Sequence, residues 1–310
     1  MFFFEDLRKQ EWSVYDYTAS SFFWLTGSIA VPLNVLLLLL ILFRSPSKLR
    51  LYSIFLFNTA LADVVFSLSA TASQIRIIPN RWEFAYVSLG PAGWIGGSGG
   101  GYRVYCLLLH CLFYTFLCFP LSFGFRYFVL VRPAPRALNC ALLCSFLWIL
   151  ACGQHILFLL VEAPSEEIVV YLKINKPEYN LDHFFVSGNN LRAQPLTALV
   201  LSTILLPMFP IYAAVIVLYK RTSAFLEKNR TRMSEGTSRR HRKLLEVLRI
   251  QASVPLVFVF PPILLYILYH LEVIQVQAIE YLVYSIFSIG PDVRGSIFSL
   301  RDGSRSNSMT

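Results

Sequence analysis

Long apolar segments alternate with short polar connections along most of the chain. A helix that crosses about 30 Å of hydrocarbon needs about 20 mostly apolar residues, and seven segments meet that requirement. They cover residues 20–43, 51–75, 102–131, 137–161, 195–219, 247–269 and 273–293. Two of them are less uniform, with Arg103 and Arg126 in the third and Glu280 and Asp292 in the seventh. The pattern predicts an all-α bundle of seven transmembrane helices that forms a single domain over residues 1–310.

The positions of the basic residues predict how this bundle lies in the membrane. Loops rich in Lys and Arg stay in the cytosol, and most of the 27 basic residues follow the first, third, fifth and seventh segments. We therefore expect the N-terminus outside, a basic cytosolic loop at residues 220–246 and a short cytosolic tail at 294–310. The start of the chain lacks the basic, apolar and small-residue parts of a signal peptide, so the first helix is expected to direct its own insertion.

Composition narrows the class of protein further. Hydrophobic residues make up 56% of the chain and charged residues 15%, against about 25% charged residues in average soluble domains. So few charges argue against a soluble enzyme, and so much hydrophobicity excludes a disordered chain. The six cysteines fall within apolar stretches, where we expect reduced thiols that act as small apolar side chains. No metal or other cofactor is predicted.

The net charge of +9 does not indicate binding to nucleic acid, because the excess is concentrated in the loop at residues 220–246. Two interpretations of this loop, which includes Arg239 and Arg240, stay open. It attracts anionic lipid headgroups, or it docks a protein partner, and both can hold together.

A glycine-rich stretch at residues 90–101 precedes the third segment. A phosphate-binding loop would need a Lys followed by Ser or Thr at its end, which the sequence lacks here, and a preceding strand, which we do not predict. The glycines instead predict a flexible connection.

Two polar residues fall deep inside predicted helices, Asn34 in the first and Asp63 in the second. Both lie roughly 14 to 18 Å from the cytosolic boundary, at about 1.5 Å per residue, so we expect them at one depth. An intramembrane carboxylate indicates a functional site by default. We therefore expect a hydrated polar pocket around Asp63, with a purely structural hydrogen-bonded pair as the alternative.

Several residues resemble the landmarks of G-protein-coupled receptors. They are Asn34 in the first helix, Asn58–Asp63 in the second, Arg126 and Tyr127 at the end of the third, Pro255 in the sixth and Pro291 in the seventh. Other phrases are similar to the nematode serpentine chemoreceptors, above all class delta. These phrases are Leu49–Tyr52, Ala85–Pro91, Phe125–Leu130 followed by Pro133, and Gln251–Pro255. The resemblance spans nearly the whole chain.

The chain departs from the rhodopsin-like pattern in three places. Phe125 stands where that pattern has an acidic residue, so the usual local ion pair of Arg126 is absent. The phrase Gly290–Arg294 lacks the Asn before the Pro and the Tyr after it. No cysteine lies in residues 162–194, so the disulfide that usually ties this loop to the third helix cannot form.

The resemblance implies a chemosensory receptor and not an enzyme. It implies a small organic odorant or soluble chemical cue as the outer ligand, and the plasma membrane, in the cilia of sensory neurons, as the location. It also implies a heterotrimeric G protein as the inner partner. The expected docking surface comprises Arg126, Tyr127, Arg132 and the basic loop with Arg239 and Arg240.

Helix geometry predicts which residues meet the ligand. At 3.6 residues per turn, the face of the third helix that carries Arg126 also carries Tyr105, Leu108, Leu112 and Thr115 in its outer half. An aromatic, mostly apolar pocket suits a small organic molecule with one or two polar groups. We expect these four residues to line that pocket.

The sixth and seventh helices supply the remaining candidates. Glu280 lies about three turns above Pro291 on the same face and is the preferred polar ligand contact. A structural hydrogen bond to a neighbouring helix is the alternative for this carboxylate. In the sixth helix Pro255, Pro261 and Pro262 break backbone hydrogen bonds and predict a bend about which the inner half can swing.

Other classes of membrane protein fit less well. A secondary transporter would use Asp63, Glu280 and Asp292 as ion sites, but it predicts internal repeats, and seven helices do not divide into matched halves. An ion channel needs a pore ring from several subunits, which one sequence does not test, and the oligomeric state stays open. An intramembrane enzyme needs a cluster of His and acidic residues or a nucleophile with its base, whereas the five His residues are scattered.

Overall fold

The structure is a computed structural model of the whole chain, and part of that chain is described below. The described residues are 12–44, 50–80, 82–181, 183–229, 256–274 and 276–290, with positions 236, 242, 245, 246, 249, 250, 252 and 253.

Helices make up most of the described chain. They are α1 (Val14–Arg44), α2 (Arg50–Ser73), α3 (Pro91–Val131), α4 (Ala137–Leu160), α5 (Ser165–Asn175), α6 (Leu196–Leu205), α7 (Met208–Lys228), α8 (Phe260–His270) and α9 (Ile279–Gly290). Within the described residues, α1 to α4 and the α6–α7 pair are long and apolar enough to cross a membrane, and α8 and α9 are shorter apolar helices. The predicted helical membrane bundle is therefore confirmed.

Helix α3 is the central helix of the bundle. In its most apolar stretch of 18 residues 67% is buried, against 22% in the corresponding stretch of α4. Helix α3 packs on α2, α4 and α7. Protein, and not lipid, therefore covers most of the apolar surface of α3.

The glycine-rich stretch forms the first turns of α3, so the prediction of a flexible connection at residues 90–101 is wrong. Helix α3 begins at Pro91, and proline is favoured at the first helical position. Its first turns are kinked at Gly97, whose φ of 65° favours glycine. A Cβ on Gly101 would lie 2.7 Å from the Cβ of Ser88, so the glycine lets α3 approach the neighbouring strand closely.

A small antiparallel sheet, which the sequence analysis did not predict, covers one end of the bundle. Its strands are β1 (Ile75–Asn80), β2 (Glu83–Ser88) and β3 (Phe185–Asn190), paired in that order. Alternate side chains face opposite sides of a strand. Ile75, Ile77 and Tyr86 join the core of the bundle, whereas Ile78 and Val87 pack with residues of α5. We call this end of the bundle the sheet end.

The expected fifth helix is divided into α6 and α7. The break lies at Leu206 and Pro207, because proline has no N–H with which to continue the helical hydrogen bonds. Helix α7 then continues past the expected end at Tyr219 as far as Lys228. Part of the basic loop is therefore helical.

Candidate functional site

Tyrosine side chains fill the core beneath the sheet. The hydroxyl of Tyr105 on α3 lies 2.6 Å from that of Tyr284 on α9, and its ring centroid lies 4.6 Å from that of Tyr86 on β2. Tyr102 donates a hydrogen bond of 2.8 Å to the carbonyl of Phe158 on α4. The predicted ligand contact Tyr105 therefore lies in a buried aromatic cluster that joins α3, α9 and the sheet.

The other predicted ligand contacts on α3 lie below this cluster, toward the middle of the helix. Leu108, Leu112 and Thr115 are all buried, and Leu108 and Leu112 belong to the main hydrophobic core. Contact with a ligand stays a prediction.

Glu280, at the start of α9, is paired on both of its carboxylate oxygens. Oε1 accepts hydrogen bonds from the hydroxyls of Tyr179 (2.5 Å) and Tyr269 (2.7 Å). Oε2 accepts one from Nε of Arg76 (2.8 Å) and lies 2.7 Å from its Nη2. A ligand that uses this buried carboxylate must therefore replace a donor that the chain itself supplies.

A second buried carboxylate, Asp16 on α1, faces the same arginine. Its Oδ1 lies 3.4 Å from Nη1 of Arg76 and accepts a 2.7 Å hydrogen bond from Tyr281. Its Oδ2 accepts hydrogen bonds from the amide and the hydroxyl of Ser13. We refer to Asp16, Arg76, Tyr179, Tyr269, Glu280 and Tyr281 together as the Arg76 cluster.

Sequence reasoning did not select Arg76 or Asp16. Arg76 stands in the otherwise apolar strand IRII and is only 4% exposed. A charged residue is almost never fully buried unless it is paired. An arginine within an apolar run is therefore the sequence signal that could have identified Arg76 as a paired, buried residue. Removal of one partner from a buried ion pair typically costs about 3–5 kcal/mol, because the other charge is left without compensation. The contacts of the cluster join α1, β1, α8 and α9.

Hydrogen bonds tie the segment between α4 and α6 to α3. Nδ2 of Asn189 on β3 donates to the hydroxyl of Tyr102 (2.8 Å) and to the carbonyl of Val161 (2.7 Å). All six cysteines are free thiols, as predicted. The Asn189 hydrogen bonds join β3 to Tyr102 on α3 and to Val161 at the end of α4. Within the described residues, no three His, Cys, Asp or Glu side chains form a group suited to a metal ion.

The two polar residues predicted to lie at one depth are both buried. Asn34 is 0% and Asp63 3% exposed, and they lie on α1 and α2, which pack against each other. Nδ2 of Asn34 donates to the carbonyl of Ala30 in its own helix. A shared polar pocket around Asp63 stays a prediction.

Arg126 is a buried cation at the end of the bundle opposite the sheet. It is 7% exposed, and its guanidinium carbon lies 3.7 Å from the ring centroid of Tyr52 on α2. Among the residues that the structure describes, Nε and Nη2 of Arg126 have no hydrogen-bond partner. Phe125 packs on Phe55 of α2, with 4.7 Å between ring centroids. The local ion pair is therefore absent, as predicted from Phe125, and the ring face of Tyr52 covers the guanidinium.

The remaining predicted coupling residues lie near Arg126 in the chain. Tyr127 is half-buried and Arg132 is exposed, and the amide of Arg132 closes α3 by donating to the carbonyl of Phe128. Four further predicted site residues lie outside the described residues. They are the switch residues Pro255 and Pro291 and the basic residues Arg239 and Arg240.

Comparison with known proteins agrees with this architecture. The family model described as "Serpentine type 7TM GPCR chemoreceptor Srd" matches residues 19–294. Similar proteins of Caenorhabditis elegans include serpentine receptor class delta-18, 28% identical over 86% of this chain and 80% of its own. Serpentine receptor class delta-33 is also 28% identical, over 88% of this chain and 81% of its own. The chain therefore belongs to the Srd family of serpentine seven-transmembrane chemoreceptors.

Proposed function

We propose that this protein is a chemosensory receptor of the plasma membrane that binds a small organic odorant or soluble cue from outside and activates a heterotrimeric G protein inside. The sheet end then faces the medium, since most basic residues follow segments that end away from it. The proposed location is the cilium of a sensory neuron. Membership of a chemoreceptor family favours this function over a transporter or a channel.

The observation that carries the proposal is the placement of two polar-aromatic sites on one buried helix. Tyr105 joins the aromatic cluster at the sheet end, and Arg126 lies about 31 Å further along α3 at 1.5 Å per residue. A ligand that favours one packing of α3, and a partner that binds only that packing, are linked equilibria. The central helix thus connects an outer binding event to an inner one.

A coupling assay tests this function. The receptor is expressed with a promiscuous G protein and challenged with a panel of odorants and soluble cues. Wild-type receptor and the exposed, sheet-end variant Arg192→Gln are expected to respond equally to an active compound. Arg126→Gln is expected to reach the cell surface and to lose at least nine-tenths of the response, or about 1.4 kcal/mol of coupling.

Two results would count against the proposal. One is a response of Arg126→Gln equal to that of the wild-type receptor. The other is transport of the compound, or an ionic current, in the absence of any G-protein signal.

A further inference from the structure

The Arg76 cluster has the chemistry of a site for an organic cation. The guanidinium carbon lies 5.2 Å from the ring centroid of Tyr179 and 4.8 Å from that of Tyr281, and the carboxylates of Asp16 and Glu280 lie at its edge. Aromatic faces attract cations through their quadrupole, and an aromatic cage is the usual way to bind a quaternary or methylated ammonium. Carboxylates add charge-assisted hydrogen bonds to a planar guanidinium.

The charges of the cluster favour a cation over a neutral ligand. Two carboxylates, each at most 1% exposed, face the single guanidinium of Arg76. The next cation near the cluster among the described residues is Lys176, whose Nζ lies 5.4 Å from the ring centroid of Tyr269 and 5.7 Å from that of Tyr179. Lys176 is half-buried at the rim. Among the described residues, the three buried charged groups of the cluster, Asp16, Arg76 and Glu280, therefore carry one more negative than positive charge.

The residues that surround the guanidinium of Arg76 come from elements other than the strand that carries Arg76. Asp16 comes from α1, Tyr179 from the loop after α5, Tyr269 from the last turn of α8, and Glu280 with Tyr281 from the first turn of α9. Only Arg76 comes from the sheet. The cation in this cluster therefore determines the contacts of β1 with α8 and α9.

We propose that the Arg76 cluster is a binding site for an organic cation, an amine or a guanidinium compound, and that Arg76 is its built-in occupant. Such a ligand takes the place of the Arg76 side chain, pairs with Glu280 and Asp16, and releases β1 from α8 and α9. This inference rests on the proposed function, because it names the chemical class of ligand that the receptor takes. It gives Glu280 its predicted contact with the ligand.

Chemical rescue of a variant that lacks the Arg76 side chain tests the site. The full-length variant Arg76→Ala is purified in detergent, and its thermal unfolding is followed with methylguanidinium or with methylurea, which is neutral and of similar shape. We expect a lower Tm for Arg76→Ala, and recovery of most of the loss at a saturating concentration of methylguanidinium only. Arg76→Ala combined with Glu280→Gln is expected to lose the rescue. The exposed variant Arg192→Ala is expected to keep the wild-type Tm and to gain nothing from methylguanidinium.

Equal effects of methylguanidinium and methylurea on Arg76→Ala would overturn the proposal, as would rescue that persists with Glu280→Gln. If Arg76→Ala cannot be purified, its amount at the cell surface is compared after growth with and without methylguanidinium, and no increase would count against the site. Saturable rescue in a receptor that couples to no G protein would leave the site standing and refute the proposed function. Coupling without rescue would refute only the cation site.

Discussion

The guanidinium of Arg126 is buried at one end of α3, and the face of the Tyr52 ring covers it at 3.7 Å. A cation–π contact is worth about 2 kcal/mol or more when it is desolvated, whereas a buried charge with no partner is costly. Tyr52 therefore stabilises the buried position of Arg126. In this position the guanidinium is only 7% exposed at the end of the bundle opposite the sheet.

We predict that Tyr52→Leu raises the ligand-independent signal of the receptor. Leucine keeps an apolar contact but removes the ring face, and the loss of about 1–2 kcal/mol shifts an equilibrium by about 5- to 30-fold. Tyr52→Phe keeps the ring face and is expected to retain the low basal signal. Basal second-messenger production at equal surface expression measures both. A basal signal in Tyr52→Leu no higher than in Tyr52→Phe would contradict this role.

Sequence reasoning found only one half of this contact. Arg126 was a candidate because a cation at a helix end, beside Tyr127, matches a receptor landmark. Tyr52 occurred only within the phrase Leu49–Tyr52, far from Arg126 in the chain. Spacing along one helix cannot show which residue of another helix faces it, because that depends on how α2 and α3 pack.

At the scale of elements, a buried carboxyl group joins the three strands of the sheet. Glu83 on β2 accepts hydrogen bonds from Nδ2 of Asn190 on β3 (2.9 Å) and of Asn80 on β1 (3.3 Å). Burial raises the pKa of Glu83 to about 7, against the effect of the Asn80 hydrogen bond and with a smaller contribution from the charge of Glu167. This carboxyl group is therefore partly protonated near neutral pH.

We predict that Glu83 makes the receptor less stable as the pH rises from about 5 to about 8. The folded state holds the proton more tightly than the unfolded state, so the free energy of unfolding falls between the ordinary pKa of a glutamate and about 7. Glu83→Gln cannot titrate and is expected to reduce this fall, whereas the exposed control Glu178→Gln is expected to leave it unchanged. Thermal unfolding across this pH range measures the effect. The same pH slope in Glu83→Gln as in wild type would show that another group is responsible.

The helices and the sheet differ in how far the sequence predicts them. The membrane helices satisfy their backbone hydrogen bonds within apolar segments, so length and hydrophobicity indicated that such helices exist. The bounds differ, because α3 begins at Pro91 and the fifth segment is divided at Pro207. The sheet needs β3, which lies about a hundred residues after β2 and whose pairing is a tertiary contact. The two strands 75–80 and 83–88, separated by two residues, carry a hairpin spacing that was open to prediction.

At the scale of the whole molecule, the sheet closes one end of the bundle and the other end carries Arg126 and the basic loop. The strands are buried on both faces, by the bundle on one side and by α5 on the other. The ring of Tyr105 packs on Tyr86 of this sheet, and the Arg76 cluster joins β1 to α8 and α9.

We predict that single introduced cysteines will show the sheet end outside and the basic loop inside. Trp82→Cys is expected to react with a membrane-impermeant maleimide on intact cells, because Trp82 is 63% exposed beside the sheet. Gly236→Cys, at an exposed position of the basic loop, is expected to react only after permeabilisation. Wild-type receptor is the control, since five native cysteines are buried and Cys152 is half-buried. Reaction of Gly236→Cys on intact cells would reverse the orientation.

The sequence by itself determined the class of this protein. Apolar segments of membrane length predict a helical membrane bundle because hydrocarbon leaves a backbone few other ways to satisfy its hydrogen bonds. The landmark residues Asn34, Asp63 and Arg126, with the class delta phrases, predicted the family to which the chain belongs.

Only the tertiary structure decided what those residues meet. Arg76 pairs with Glu280, 204 residues away in the chain, and Arg126 lies against the ring of Tyr52 on another helix. A buried charge needs a partner, and a charged residue within an apolar segment of the sequence indicates this requirement. Which partner meets it depends on how distant segments pack, and a periodicity along one segment carries no information about that.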